Sequence, residues 1–186
     1  MAAFSDGFRS FASQYYGRVL PFDRSVYGLG EAMGLTKKEA WKALGLFYLS
    51  GKLARLQLFD PWIVAHVRGL HAAGVHVILL TNRPAHKFPN IEFETEAWLT
   101  FYDIPYGRIA FSTDKGAYVD ELGDETEVLY AIEDMPENAL KLAERRILTF
   151  VPARLYNVGM EPNAFVKVIN GPEEIQHHLQ EHAITY

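Results

Sequence analysis

A nearly continuous apolar run, Val75-His76-Val77-Ile78-Leu79-Leu80, stops abruptly at Thr81-Asn82-Arg83. A run this short and this apolar is expected of a strand buried in a parallel sheet. It comes after a helical stretch that opens at Asp60-Pro61, an N-cap with proline at the first helical position, and ends near Gly74. Downstream, the spacing predicts a helix over 91–102 and strands over 108–111, 128–132, 147–150 and 165–169, with helices near 115–121 and 136–145. Such alternation points to an α/β domain built on a parallel sheet. Ligands of these sheets bind beyond the carboxyl ends of the strands, so chemistry is sought there.

The chain before Asp60 reads differently. Phe4, Phe8, Phe11 and Tyr15 keep helical spacing up to Gly17, a C′ stop. After a less regular stretch with Gly28, Gly30 and Gly34, Thr36-Lys37-Lys38-Glu39 reads as a capping box opening a helix through Trp41, Leu44 and Phe47. No strand-like alternation occurs over 18–58, which is expected to be a small helical insert. No internal repeat is visible.

Composition narrows the function. The 186 residues contain no cysteine, which excludes disulfides, thiolate chemistry and cysteine-based zinc sites. A formal charge of −5 without a Lys/Arg cluster argues against a nucleic-acid polymer as partner, while leaving room for a small anion. No apolar stretch approaches bilayer-spanning length, and the start, MAAFSDGFRSFA, is unlike a signal peptide. The expectation is a cytoplasmic protein with no membrane partner.

Three strand ends carry the candidate chemistry. Thr81 offers a hydroxyl, and the backbone around Asn82 offers N–H groups, suited to a phosphate; a threonine here serves equally as a turn residue. Lys115, in Ser112-Thr113-Asp114-Lys115-Gly116, would steady charge on a transferring group, or would be a solvated surface lysine. Glu133 and Asp134 end the apolar run 128–132. Adjacent carboxylates there repel unless a hard cation such as Mg²⁺ offsets them, or unless one caps the next helix while the other is solvated. The three occur in order, about one helix-plus-strand unit apart.

Together these segments resemble the haloacid dehalogenase (HAD) superfamily: VILLTNRP is similar to its motif II, STDKG to motif III and AIEDMPENAL to motif IV. Within it, the likeness is greatest to the 5′-nucleotidase (deoxyribonucleotidase-like) group. The resemblance implies a Rossmann-like parallel sheet with flanking helices, a core of 1–17 and 59–186, and a small helical cap of 18–58. It implies that Thr81 and Asn82 bind the phosphoryl group, Lys115 steadies it, and Glu133 and Asp134 hold Mg²⁺, with Arg83 and His86 lining the pocket. The ligand would be a small phosphorylated molecule, nucleotides included.

The family's first motif, a buried strand ending in Asp-x-Asp-Gly, has no counterpart in the sequence. Its first aspartate is the nucleophile. Asp6-Gly7 is a poor substitute, because little apolar chain precedes it and its surroundings read as helix. Met1-Ala2-Ala3-Phe4 and Gly7-Phe8 are similar to the stretch directly after that motif in the family, so the expectation is a chain that starts just beyond it. Without the nucleophile covalent catalysis is unavailable, the cation loses its best ligand, and a missing central strand leaves an unpaired edge prone to self-association. The implied function is Mg²⁺-dependent phosphate monoester hydrolysis, inactive in the chain as it stands; the alternative is a non-catalytic protein acting by ligand or protein binding. A plain α/β domain with chance matches remains a third reading.

Aromatic residues near the insert (Tyr15, Tyr16, Phe22, Tyr27, Trp41, Phe47, Tyr48) are expected to pack its helices, with base stacking as the other use. His177, His178 and His182 read as one polar face of a terminal helix. Asp120, Glu121, Asp124, Glu125 and Glu127 read as a solvated loop.

Overall fold

The structure is a computed structural model that describes residues 3–123, 126–182 and 184. Asp124 and Glu125 of the acidic loop therefore lie outside the described residues. The chain is an α/β protein, and its described residues form five strands in two small sheets, one of order β1-β2 and one of order β3-β4-β5. The strands are β1 (Ile78–Thr81), β2 (Arg108–Phe111), β3 (Ala131–Ile132), β4 (Thr149–Pro152) and β5 (Val166–Ile169). Two compact units emerge: one spans Met1–Leu79 and Arg83–Ile109, the other Leu80–Asn82 and Ala110–Tyr186.

The first unit is mostly helical: α1 (Phe4–Tyr16), α2 (Leu29–Ala32), α3 (Lys37–Tyr48), α4 (Pro61–Ala72) and α5 (Asn90–Phe101), with a 3₁₀ turn at Leu53–Arg55. Local signals placed the ends. Gly17 stops α1 in the left-handed region at φ 62°, where its N–H and that of Arg18 close on Gln14 and Ser13. The Thr36–Glu39 capping box forms as expected. Asp60 occupies the N-cap position of α4 but makes no side-chain cap bond; it is buried, so proline at the first helical position carries the start. Phe47, fully buried, gathers Phe4, Phe8 and Phe11 at ring separations of 5.5, 5.7 and 5.4 Å. Packing is thus what Phe47 and Tyr48 do, whereas Trp41 stands 61% exposed.

α2 approaches α3 through Gly30. A Cβ added there would lie 2.7 Å from the Ala40 Cβ, an atom that cannot rotate away. Gly30→Ala is therefore expected to push the two helices apart and cost about 1–3 kcal/mol, read as a lower urea midpoint.

In the second unit β4 is central, parallel to both neighbours, with Ala131 opposite Thr149 and Phe150 opposite Lys167. All four of its residues are buried. Phe150 packs against the Tyr130 ring at 5.5 Å and the His178 ring at 6.1 Å. Three helices accompany these strands: α6 (Lys115–Glu121), α7 (Pro136–Glu144) and α8 (Pro172–Glu181). α8 carries His177 and His178, each within reach of Glu181, at 3.4 and 2.8 Å.

Two strands differ from expectation. β1 covers Ile78–Thr81 and is only half-buried. The expected strand 128–132 is reduced to Ala131–Ile132, the two residues that pair with Thr149 and Phe150 of β4. No described helix is long and apolar enough to cross a membrane.

Candidate functional site

The second unit contains Thr81, Asn82, Lys115, Glu133 and Asp134, all at or just past strand ends. β1 delivers Thr81, whose carbonyl accepts the Ser112 N–H at 2.9 Å, so the chain leaving β2 is tied to the end of β1. Ser112 then organises the turn: its hydroxyl donates to the Asp114 carbonyl at 2.9 Å and accepts from the Asp114 N–H at 3.2 Å. Asp114 caps α6 by accepting the Ala117 N–H at 3.2 Å. That bond, with Lys141 at 3.8 Å, holds the Asp114 carboxyl below its ordinary range. The result is Lys115 at the first position of α6.

Lys115 does not point into solvent. Its ammonium donates to Glu133 Oε2, and the two side chains are 15% and 4% exposed. Glu133 Oε1 accepts the Met135 N–H at 3.0 Å and Asn138 Nδ2 at 3.4 Å, at the start of α7, where a helix N-terminus favours a carboxylate. The Glu133 N–H continues the ladder onto Phe150 at 3.0 Å. Strand geometry turns the next side chain the other way. Asp134 is exposed, and its Oδ2 accepts from the Tyr156 hydroxyl at 3.1 Å.

The repulsion expected between the adjacent acids is thus relieved without their converging. Glu133 is neutralised inside by Lys115, and Asp134 faces outward. Among the described residues no group of three or more His, Asp or Glu side chains is placed to hold a metal ion. Both Glu133 oxygens already accept from donors. Glu133 and Asp134 are the carboxylates that would meet Mg²⁺, but by themselves they fit such an ion poorly, and no chemical step is derived through it.

Asn82 is exposed beyond β1. Arg83 and His86 fall in the first unit. There Arg83 donates to the Thr95 hydroxyl at 2.9 Å and lies 6.0 Å from the Phe4 ring. Burial pulls its guanidinium below the ordinary value, countered by Tyr48 and Glu94. His86 is exposed. Asp6 sits in the first turn of α1, paired with Arg24 at 3.0 Å, far from any strand-end role.

Sequence reasoning missed Asn138, Tyr156 and Ser112. Tyr156 lies in the 3₁₀ turn Leu155–Asn157 just after β4, so the strand-end rule applied to that strand would have flagged it. Asn138 lies in the first turn of α7, behind the acids whose position was read.

No protein-family model matches the sequence, and comparison with curated proteins finds no match. Solved structures are similar to the chain, among them the following two. A haloacid dehalogenase-like family hydrolase from Streptococcus pneumoniae superposes with a TM-score of 0.62 at 15% identity, over 97% of this chain and 93% of that one. Protein Tyrosine Kinase A of Mycobacterium tuberculosis superposes with a TM-score of 0.61 at 20% identity, over 94% of this chain and 89% of that one. With its parallel strands, flanking helices and these likenesses, the chain has a HAD-like, Rossmann-like α/β fold.

Proposed function

We propose that this chain is a HAD-type phosphohydrolase domain of the 5′-nucleotidase type, that its second unit binds phosphate monoesters, and that it does not turn them over as it stands. The observation that carries the reading is the Lys115–Glu133 pair at the carboxyl ends of β2 and β3. An ammonium has three donors, and Glu133 uses one. The others are available to a phosphoryl oxygen, while Glu133 fixes where they point. The Thr81 hydroxyl and the backbone N–H groups after β1 are uncharged donors for the same anion. Nucleotides belong to the expected ligand class.

Turnover needs a nucleophile. Glu133 is held by Lys115, the Met135 N–H and Asn138, and Asp6 is paired with Arg24, so neither is placed to attack. Mg²⁺, where present, would supply charge neutralisation for the phosphate. This chain's own residues bind and orient the anion. The non-catalytic alternative draws on the same observation, the saturation of Glu133.

The test is thermal denaturation in inorganic phosphate and in nucleoside 5′-monophosphates, with and without Mg²⁺, beside a phosphate-release assay. Ligand at about a hundredfold its Kd stabilises the folded state by about 2.7 kcal/mol. Stabilisation without release is the expected result. Mg²⁺-dependent release that vanishes in Lys115→Ala would show a competent enzyme. Absence of both would end the phosphate reading.

A further inference from the structure

Two neighbouring acids at a strand end call for a positive charge, and in the second unit that charge comes from the chain itself. Lys115, Glu133, Asp134 and Tyr156 all belong to this unit. A divalent ion such as Mg²⁺ needs carboxylate oxygens that converge in near-octahedral geometry and have lone pairs to give. Glu133 has few to give. Its Oε1 is filled by two donors, the Met135 N–H at 3.0 Å and Asn138 Nδ2 at 3.4 Å. Its Oε2 accepts from the Lys115 ammonium, so an ion taking the remaining lone pair would sit against a like charge. The pair is sheltered, with side chains 15% and 4% exposed, and such repulsion is poorly screened there.

Asp134 does not make up the deficit. It is exposed, and its Oδ2 accepts from the Tyr156 hydroxyl at 3.1 Å instead of turning toward Glu133. The ammonium, by contrast, is suited to an anion. It gives one of its three N–H groups to Glu133, and a charged donor binds a phosphoryl oxygen more strongly than a neutral one. An anion held through a borrowed ion depends on the supply of that ion. One held by a lysine does not.

We propose that the Lys115 ammonium does the work of the divalent cation in this site, so that the second unit binds phosphate without Mg²⁺. The identity of the anion rests on the phosphate reading above, whereas the exclusion of a divalent ion is a property of the Lys115–Glu133 pair alone. A converse follows. With the ammonium removed and both acids kept, Glu133 lacks a counter-charge, and the site gains affinity for a divalent ion.

The first arm of the experiment is calorimetric titration of the full chain with inorganic phosphate, once in EDTA and once in saturating Mg²⁺. An ion sharing the site would change the phosphate Kd by about 5- to 150-fold, the usual span of coupling between two ligands. Equal Kd values are expected. Binding seen only in Mg²⁺, or tightened by it across that span, overturns the proposal while leaving the phosphate reading intact. No binding in either condition ends the phosphate reading, and the proposal with it. The second arm follows free Mn²⁺ by its paramagnetic resonance, without phosphate. Mn²⁺ on surface acids is common to all variants and is set by Lys115→Met/Glu133→Gln, which the parent should match. Lys115→Gln, whose amide can still donate to Glu133, should bind Mn²⁺ about tenfold or more tightly than the parent, the scale on which groups behind a metal ligand tune it. Its melting temperature should rise in Mn²⁺ as well, which reads the same gain in a less stable variant. A parent that binds more Mn²⁺ than the double variant, or a Lys115→Gln chain that gains none, overturns the proposal.

Discussion

Lys115→Ala is expected to lose the phosphate response and about 3–5 kcal/mol of folding stability together. The stability loss arises from the groups left behind. Glu133, with its side chain 4% exposed, would lose the ammonium that offsets it. Removing one partner of a buried ion pair leaves an uncompensated charge, which costs about that much. The Met135 N–H and Asn138 would still bond to Oε1, which places the loss at the lower end of the range. Because stability and binding fall together, the single variant does not separate a ligand-binding lysine from a structural one. Lys115→Met/Glu133→Gln does. Methionine keeps most of the lysine stem, and the glutamine oxygen can accept from Met135 and Asn138, so stability should return to within about 1 kcal/mol of the parent. The phosphate response should stay absent. Phosphate-dependent stabilisation in the double variant would remove Lys115 from the binding site.

The second large effect is expected in the first unit. Glu94 is buried, yet its carboxylate joins three parts of the chain. Oε2 accepts the Leu53 N–H at 3.0 Å, and Oε1 accepts from Asn90 Nδ2, which also donates to the Tyr48 carbonyl at 2.5 Å. The carboxylate also acts electrostatically on the buried Arg83 guanidinium. Glu94→Ala would strip the buried Leu53 N–H of its acceptor, Asn90 Nδ2 of one of its two acceptors and Arg83 of a counter-charge, a loss of about 3–5 kcal/mol. Glu94→Gln should lose less. Asn90 Oδ1 is buried without a partner, so the amide can turn and accept from the new NH₂ group, giving up its bond to the Tyr48 carbonyl in exchange. Urea denaturation tracked by tryptophan emission checks both, because Trp98 on the same helix donates to the Leu56 carbonyl at 2.6 Å. Equal midpoints for the alanine variant and the parent would mean that the carboxylate holds nothing together.

The features legible in the sequence were local. The capping box at Thr36 and Glu39, the glycine stop at Gly17 and the proline start of α4 each need only a few neighbouring residues, and each was found in place. The strands after Lys115 were recognisable, but their limits shifted. β4 begins at Thr149 and runs to Pro152, because pairing on both sides, invisible in the sequence, decides which residues extend. The site was legible as an ordered set of strand ends but not as a set of partners. Nothing in the sequence says that Lys115 meets Glu133 or that Tyr156 meets Asp134, since each pair is joined only through the sheet. Glu94 escaped notice altogether, because a glutamate in a helix reads as solvated until the helix is packed.

Gly116, next to Lys115, leaves room for a neighbour. The Arg145 guanidinium lies where its side chain would be, with Nη1 2.6 Å from the position of a Cβ, and from there it grips Asp120 with two bonds and the Lys141 carbonyl with a third. This grip fixes α6 and, through α6, the lysine at its start. In the descent of such a chain, a larger residue at 116 would have to move the guanidinium aside, and with it the bonds that tie α6 to Arg145.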